Sequence, residues 1–191
     1  MKKSNITGIV LAGGKSSRMG TDKSHLIFND KTFIEHSIYA LKEITTEIII
    51  ISKNEKHDDL GYKRIPDYIQ DFGPVAGIYT GLTNIKTKFA IILSCDIPLI
   101  QTKILKKLIN IENDEHQVIQ FEFKNKNTPL TALYQKSCVT IFKKAIKNKT
   151  RRLQSVVKQC NPKNIILSEE EAIYIQNINT KEDFKTIKII K

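Results

Sequence analysis

The sequence predicts an α/β fold in which helices flank a single doubly wound, mostly parallel sheet. Two continuous apolar segments, residues 47–52 and Phe89–Ser94, predict this sheet, because the strands of a parallel sheet are buried on both faces. Segments with helical periodicity alternate with these strands. Functional sites in such sheets lie at the carboxyl ends of the strands. We therefore expect the loops that start at Ala12, Lys53 and Cys95 to converge at one edge.

The first part of the chain supplies most of the predicted alternation. A strand over Ile6–Leu11 leads into a loop over residues 12–21 that is rich in glycine and small residues. A helix should begin at Thr32, where Glu35 three residues later completes a capping box. Two further helices are expected over residues 74–85, where proline occupies the first turn, and around residues 104–109.

The last part of the chain changes character without a separating linker. Residues 118–121 and 129–134 predict two more strands, and residues 138–146 and 153–160 predict two amphipathic helices. The sequence contains no repeat, low-complexity tract or Pro/Gly-rich linker before this part. We therefore treat residues 1–191 as one domain.

The charge balance favours anionic partners. There are 31 Lys and Arg against 20 Asp and Glu, a net charge of +11, which predicts attraction to nucleic acid, acidic lipid or a phosphorylated substrate. An ordinary excess of surface lysine accounts for the same total. The chain has four arginines and no aromatic-rich strand motif on which bases would stack, so we expect no nucleic-acid partner.

The apolar segments and cysteines indicate the compartment. The longest apolar runs, residues 48–51 and 89–93, are far shorter than the roughly 20 residues of a membrane span, so no membrane association is expected. No apolar segment follows the charges of the first five residues, so we predict a cytoplasmic location. Cys95, Cys138 and Cys160 have neither disulfide nor metal-ligand spacing and are expected to be reduced core thiols.

The glycine-rich loop after the first strand is typical of phosphate binding. Its glycines would allow backbone N–H groups to approach phosphate oxygens closely, and the cations Lys15, Arg18 and Lys23 are near in sequence. The segment is not a Walker A loop, because Ile9 stands where that motif needs its first glycine. The ordinary alternative is a plain glycine turn with nearby surface lysines. The presence of three cations beside the turn that follows the strand argues against this alternative.

Residues 11–23 read Leu-Ala-Gly-Gly-Lys-Ser-Ser-Arg-Met-Gly-Thr-Asp-Lys. This segment closely resembles the signature of molybdenum cofactor guanylyltransferases (MobA-like proteins), within the wider Rossmann-like nucleotidyltransferases. Relatives that transfer cytidylate typically read Ala-Ala-Gly where this chain has Ala-Gly-Gly, which points to GTP. Four further segments resemble family elements in the same order: residues 65–78, 95–98, 127–134 and 177–183.

The resemblance covers nearly the whole chain and implies a nucleotide-diphospho-sugar transferase-like fold. It implies a GTP-binding part over residues 1–112 and a second-substrate part over residues 113–191. The implied reaction is attack of the terminal phosphate of molybdopterin on the α-phosphorus of GTP, which forms the guanine dinucleotide and pyrophosphate. Since the nucleophile is already an anion, catalysis should depend on positioning and charge neutralisation.

Three residues are expected to be catalytic. Arg18 and Lys23 would contact the phosphates, and Asp96 would bind Mg²⁺ at the end of a buried strand. Capping of a helix is the ordinary alternative for Asp96. A single carboxylate is compatible with Mg²⁺, which often takes one or two protein carboxylates together with phosphate oxygens and water.

The nucleotide-binding set includes both loop and strand-end residues. Its members are Leu11, Ala12, Gly13, Gly14, Lys23, Asn54, Asp67 and Asp96. A carboxylate can accept the N–H groups of guanine, and the resemblance puts Asp67 near the base. Asn54 aligns with an asparagine that contacts the nucleotide in the family. Lys53 could shift that register by one, so an ordinary turn role for Asn54 stays open.

The second substrate is expected at a basic segment of the last part. If Thr150 caps the following helix, Arg151 and Arg152 occupy its first two positions, where cations oppose the helix dipole unless an anion docks there. With Asn177 and Asn179 they are predicted to bind molybdopterin.

Other functions compete with this hypothesis. They are cytidylyl transfer to molybdopterin, guanylyl transfer to adenosylcobinamide phosphate, transfer to a sugar phosphate, and nucleotide binding without catalysis. The presence of Lys23 and Asp96 argues against an inactive module. The partners expected are GTP and molybdopterin as substrates, with transient contacts to other cofactor-synthesis proteins or molybdoenzymes.

Overall fold

The secondary structure comes from a computed structural model that describes residues 5–13, 23–69, 72–110 and 115–187. The strands are β1 (Ile6–Leu11), β2 (Ile27–Phe28), β3 (Lys31–Thr32), β4 (Glu47–Ile51), β5 (Lys63–Ile65), β6 (Phe89–Ser94), β7 (Val118–Phe123), β8 (Lys126–Gln135) and β9 (Pro162–Ile166). The helices are α1 (Phe33–Lys42), α2 (Pro74–Asn84), α3 (Thr102–Ile109), α4 (Val139–Lys147), α5 (Leu153–Lys158), α6 (Glu169–Ala172) and α7 (Lys181–Ile187).

Within the described residues, seven strands form one mixed sheet in the order β5-β4-β1-β6-β8-β7-β9. Neighbouring strands from β5 to β6 are parallel. Strand β8 is antiparallel to both β6 and β7, and β9 is again parallel to β7. The short strands β2 and β3 pair as a separate hairpin. The predicted doubly wound, mostly parallel sheet is therefore confirmed.

Alternate side chains of β1 enter two different cores. Val10 packs on one face with residues of α1 and α3. Ile9 and Leu11 pack on the other face with residues of α2, α4 and α5. This alternation explains why the central strands are apolar at every position, since both faces of the sheet are covered by helices.

Helix α2 lies very close to β1 because two of its positions are glycine. A Cβ built on Gly81 would lie 2.8 Å from Cδ1 of Ile9. One turn earlier, a Cβ on Gly77 would lie 3.3 Å from Cδ2 of Leu11. The two glycines thus allow the helix to approach the strand and bring its first turns to the carboxyl end of β1.

A small third cluster fixes the C-terminal segment. Ile178 and Ile187 pack with Phe28 and Phe33, at the hairpin and the first turn of α1. The packing holds the residues before α7 against the N-terminal part of the chain. It therefore brings together segments that are distant in sequence.

Several local predictions are confirmed. The side chains and backbone of Thr32 and Glu35 form the expected capping box of α1, and Pro74 occupies the first turn of α2. Cys138 and Cys160 are buried free thiols, whereas Cys95 is only partly buried. In the ranges of the chain described above, no helix has the length and apolar character needed to span a membrane.

Candidate active site

The carboxyl ends of the parallel strands form one edge of the sheet. The backbone N–H of Ala12 donates to the carbonyl of Ile51 (3.0 Å), and the N–H of Cys95 donates to the carbonyl of Leu11 (3.2 Å). The N–H of Ser52 donates to the carbonyl of Ile65 in the same way (3.1 Å). The loops after β1, β4 and β6 therefore start side by side, as the sequence predicted.

The glycine-rich loop is described only at its beginning. Leu11 and Ala12 are buried, and Gly13 is exposed. Of the described residues, a Cβ on Gly13 would meet one atom within contact range, the carbonyl oxygen of Ile51 at 4.0 Å. The described part of the chain therefore leaves space beside the backbone of Gly13. The predicted residues Gly14 and Arg18 lie outside the described residues.

Lys23 is anchored to the C-terminal segment. It opens a short 3₁₀ turn, and its Nζ donates to Oδ1 of Asn179 at 2.8 Å. Asn179 is held in turn, because its N–H and that of Thr180 each donate to Oδ2 of Asp183 at 2.8 Å. These backbone hydrogen bonds lower the pKa of Asp183 below its ordinary value. The ammonium of Lys23 thus points toward a rigidly held asparagine.

Asp96 also contacts the C-terminal segment. Its Oδ1 accepts from the Ser94 hydroxyl at 2.5 Å, and its Oδ2 accepts from Nδ2 of Asn177 at 3.3 Å. Its backbone carbonyl accepts from the N–H of Ile178 at 2.8 Å. The next helix, α3, has Gln101 as its N-cap, so the capping alternative for Asp96 is wrong. The carboxylate is oriented at the sheet edge instead.

The chemistry of this carboxylate suits a divalent cation. Carboxylate oxygens are hard ligands of the kind that Mg²⁺ prefers, and Asp96 supplies them at the end of β6. Among the described residues no group of three or more His, Cys, Asp and Glu side chains could hold a metal ion. A cation at Asp96 would therefore complete its shell with water and phosphate oxygens, which is how Mg²⁺ is usually held.

Asp67 is half-buried two residues beyond the end of β5. Its Oδ1 accepts from the Thr80 hydroxyl at 2.9 Å and from the N–H of Ile69 at 3.3 Å. Burial is the largest influence on the carboxyl group and raises its pKa despite these hydrogen bonds. The backbone N–H of Tyr68 also interacts with this carboxylate, and Oδ2 would lie 3.8 Å from a Cβ built on Gly77 of α2. This oxygen can accept a hydrogen bond from a ligand.

Asn54 takes the turn role that the sequence left open. It is the N-cap of a 3₁₀ helix over Glu55–Leu60, and its Oδ1 accepts from the N–H of Lys56 at 3.1 Å. Its Nδ2 lies 2.9 Å from Nε2 of His25. Both ends of the Asn54 amide thus take part in contacts within the protein.

The expectation for the two arginines rested on a helix start that the structure contradicts. Helix α5 has Arg152 as its N-cap, so Arg151 and Arg152 do not occupy its first two positions. Thr150 instead belongs to the turn that ends α4, because its N–H donates to the carbonyl of Ala145 at 2.8 Å. The guanidinium of Arg151 lies over the ring of Phe72, 5.3 Å from its centroid. The contact described for Arg151 is thus with Phe72, whereas Asn177 and Asn179 contact Asp96 and Lys23.

Comparison with known proteins identifies the family. A sequence model of the MobA-like NTP transferase domain matches residues 8–164. The chain belongs to the MobA-like NTP transferase family. It is thus a nucleotidyltransferase, and the resemblance inferred from the motifs is confirmed.

The relatives of this MobA-like transferase match it over nearly its whole length. A Flavobacterium johnsoniae protein named "Probable molybdenum cofactor guanylyltransferase" is 37% identical over 184 residues, which cover 96% of this chain and 97% of the relative. A Clostridium perfringens protein of the same name is 36% identical and covers 91% of this chain and 85% of its own length. The crystal structure of molybdopterin-guanine dinucleotide biosynthesis protein A from Archaeoglobus fulgidus has the same fold, with a TM-score of 0.82 at 22% identity, covering 96% of this chain and 97% of that one.

Sequence reasoning missed the residues that orient the MobA-like site. Ser94 and Thr80 each donate to a predicted aspartate, Asp96 and Asp67 respectively. Ser94 ends β6 immediately before the Cys-Asp pair, and this position could have indicated a contact with Asp96. Thr80 lies 13 residues from Asp67, within an apolar helix, and nothing in the sequence pattern distinguished it.

Proposed function

We propose that this MobA-like transferase transfers GMP from GTP to the terminal phosphate of molybdopterin and releases pyrophosphate. The observation that carries the proposal is that Lys23 and Asp96 are both bound by one segment, residues 177–179, at the edge where the parallel strands end. A cation and a carboxylate held at one edge suit a reaction between two phosphate groups. The names of the relatives support the same activity.

The reaction joins an anionic oxygen to the α-phosphorus. A phosphate oxygen of molybdopterin attacks, the new P–O bond forms, and the bond between the α-phosphorus and the bridging oxygen breaks to release pyrophosphate. No general base is needed, because the attacking oxygen carries no proton at neutral pH. Lys23 neutralises charge on the phosphates, Arg18 is proposed to assist it, and the backbone of Leu11, Ala12, Gly13 and Gly14 approaches the nucleotide.

Mg²⁺ is the proposed cofactor, with Asp96 as its protein ligand. When bound there, it would neutralise charge that develops on the phosphate oxygens. The carboxylate oxygens of Asp96 support this choice of metal, and Nδ2 of Asn177 donates to one of them. Ser94 keeps the carboxylate in position by its hydrogen bond.

Guanine is proposed to contact Asp67. An ionised carboxylate accepts the N–H groups on the Watson–Crick edge of guanine, whereas cytosine presents a different pattern of donors. The position of the Asp67 carboxylate, held by Thr80 just beyond the end of β5, supports this role. Asn54 is also proposed to contact the nucleotide. Its side chain would do so while it keeps its contacts with His25 and the N–H of Lys56.

Both parts of the chain contribute to the proposed site. Residues 1–112 supply the GTP side and residues 113–191 supply the molybdopterin side of one domain. Asn177 and Asn179 lie where the two sides meet, because they contact Asp96 and Lys23. Arg151 and Arg152 remain proposed ligands of molybdopterin on the strength of their exposure and charge. Transfer of the product is proposed to involve transient contact with other cofactor-synthesis proteins or molybdoenzymes.

One assay tests this function. Purified protein is mixed with Mg²⁺, molybdopterin and either GTP or CTP, and pyrophosphate release is followed. We expect release with GTP that depends on both molybdopterin and the metal. Preferential release with CTP would show that the transferred nucleotide is cytidylate. In a parallel reaction adenosylcobinamide phosphate replaces molybdopterin, and release only in that reaction would show that it is the acceptor. Binding of GTP without release under every condition would identify a nucleotide-binding module.

A further inference from the structure

A buried polar cluster lies directly behind the candidate site. His57 has no exposed surface, and Ser24 and Ser52, which contact its ring, are buried as well. Ser24 directly follows Lys23, and Ser52 directly follows β4. The cluster therefore connects the residue after the proposed phosphate-binding lysine to the edge of the sheet.

Both ring nitrogens of His57 lie within hydrogen-bond distance of a serine hydroxyl. Its Nε2 lies 2.9 Å from the Ser24 hydroxyl, and its Nδ1 lies 2.8 Å from the Ser52 hydroxyl. A hydroxyl can donate or accept, so either neutral tautomer of the imidazole satisfies both contacts. The Ser52 oxygen also accepts from the N–H of Asn54 at 3.0 Å. A side chain without nitrogens at this position would leave buried hydroxyl groups without these partners.

A second histidine covers the cluster. The exposed ring of His25 stacks on that of His57, with centroids 5.0 Å apart and an angle of 25° between the planes. Its Nε2 lies 2.9 Å from Nδ2 of Asn54. The 3₁₀ turn that begins at Lys23 is thus attached to the loop after β4 at two of its three residues, Ser24 and His25.

We infer that His57 is a positioning residue for Lys23 and acts through Ser24. The backbone of Lys23 is fixed on one side by the contact between Ser24 and His57, while its ammonium is fixed on the other by Asn179. Two anchors on opposite ends of the side chain define where its charge lies. The inference rests on the proposed role of Lys23 toward the phosphates. Misplacement of such a group by about 1 Å can reduce a rate by about 10²-fold.

The test is a double-mutant cycle on the full-length protein. His57→Phe retains a ring but removes both nitrogens, and Ser24→Ala removes only the partner hydroxyl. Each substitution is combined with Lys23→Ala. For every variant, kcat and KM for GTP in pyrophosphate release, the GTP dissociation constant and the melting temperature are measured. His116→Phe is the matched control, because His116 precedes β7 at the opposite edge of the sheet, where its Nδ1 lies 3.3 Å from the carbonyl of Asn161.

We expect His57→Phe to lower kcat about 10- to 100-fold and Ser24→Ala to lower it less, with His116→Phe unchanged. In the Lys23→Ala background, neither His57→Phe nor Ser24→Ala should cause a further loss, because the positioned group is already absent. Losses that multiply in this background, or a kcat that follows only the melting temperature, would overturn the inference and leave the function intact. If Lys23→Ala itself changed nothing, the role of Lys23 would fail and the inference with it. Should His57→Phe not fold, Ser24→Ala completes the same cycle.

Discussion

The side chains of Lys23 and Asn179 share a hydrogen bond of 2.8 Å although 156 positions separate them in the chain. The contact joins the exit of the glycine-rich loop to the segment that precedes α7. Asn177, two residues earlier, contacts Asp96 in a similar way. The C-terminal segment therefore contributes directly to the orientation of both charged groups of the site.

Lys23→Ala should lower the rate of pyrophosphate release about 10²-fold or more, because a cation that neutralises phosphate charge is lost. Lys106→Ala is the matched control, since Lys106 is exposed on α3 and should not change the rate. The measurement is steady-state release with saturating GTP. Equal rates for Lys23→Ala and the parent protein would contradict the proposed phosphate contact.

Asp96→Asn should reduce metal-dependent turnover far more than it reduces stability, because an oxygen ligand is lost with little change in volume. We expect a decrease of about 10²-fold and a displaced Mg²⁺ titration, with a nearly unchanged melting temperature. Asp30→Asn is the control, since Asp30 is an exposed turn residue at φ 61, which Asn also tolerates. Turnover that is insensitive to Asp96→Asn would remove this residue from the metal site.

Asp67 predicts a pH dependence of both binding and stability. Its pKa is raised above 3.8, so GTP affinity should fall as the pH drops through this raised value and the carboxylate that accepts guanine is protonated. For stability the sign is opposite: ionisation disfavours the folded state, so the contribution of Asp67 is complete below pH 3.8 and is lost as the pH rises through its folded pKa.

Asp67→Asn should flatten both profiles and weaken the preference for GTP over CTP. Nucleotide titrations and urea unfolding between pH 4 and 8 measure the two effects. Asp59, an exposed aspartate, provides the control substitution Asp59→Asn. An unchanged nucleotide preference in Asp67→Asn would exclude Asp67 as the base-reading residue.

Replacing Arg151 and Arg152 together by Ala should weaken molybdopterin binding while GTP affinity is retained. The physical reason is the loss of two exposed guanidinium groups that can bind a phosphate. Separate titrations with each substrate measure the effect, and Lys143→Ala with Lys144→Ala controls for general loss of positive charge on α4. The assignment is wrong if molybdopterin binding is unaffected or if GTP binding falls equally.

Gly81→Ala should lower the free energy of unfolding by about 1–3 kcal/mol, because the added Cβ would lie 2.8 Å from a buried atom of Ile9. Thr83→Ala, at an exposed position of the same helix, is the control and should change stability little. Urea unfolding measures both values. A Gly81→Ala protein as stable as its parent would show that Ile9 can move aside at no cost.

The local pattern of the sequence was enough to predict the central architecture. Strands such as Phe89–Ser94 are apolar throughout because both faces are buried. The capping box of Thr32 and Glu35 marks the start of α1. The family motifs also indicated Lys23, Asp67 and Asp96, since these residues stand next to the predicted ends of structural elements. These features leave a local record in the sequence, as the apolar periodicity of an element, as its capping residues or as a continuous motif.

The tertiary structure decided which side chains meet. The partners of Lys23 and Asp96 come from residues 177–179, brought there by the packing of Ile178 and Ile187 against Phe28 and Phe33. The cluster around His57 depends on the same kind of long-range packing, and the start of α5 depended on how the turn after α4 closes at Thr150. Hydrogen bonds of this kind need groups about 3 Å apart in space, and no spacing along the sequence specifies that distance.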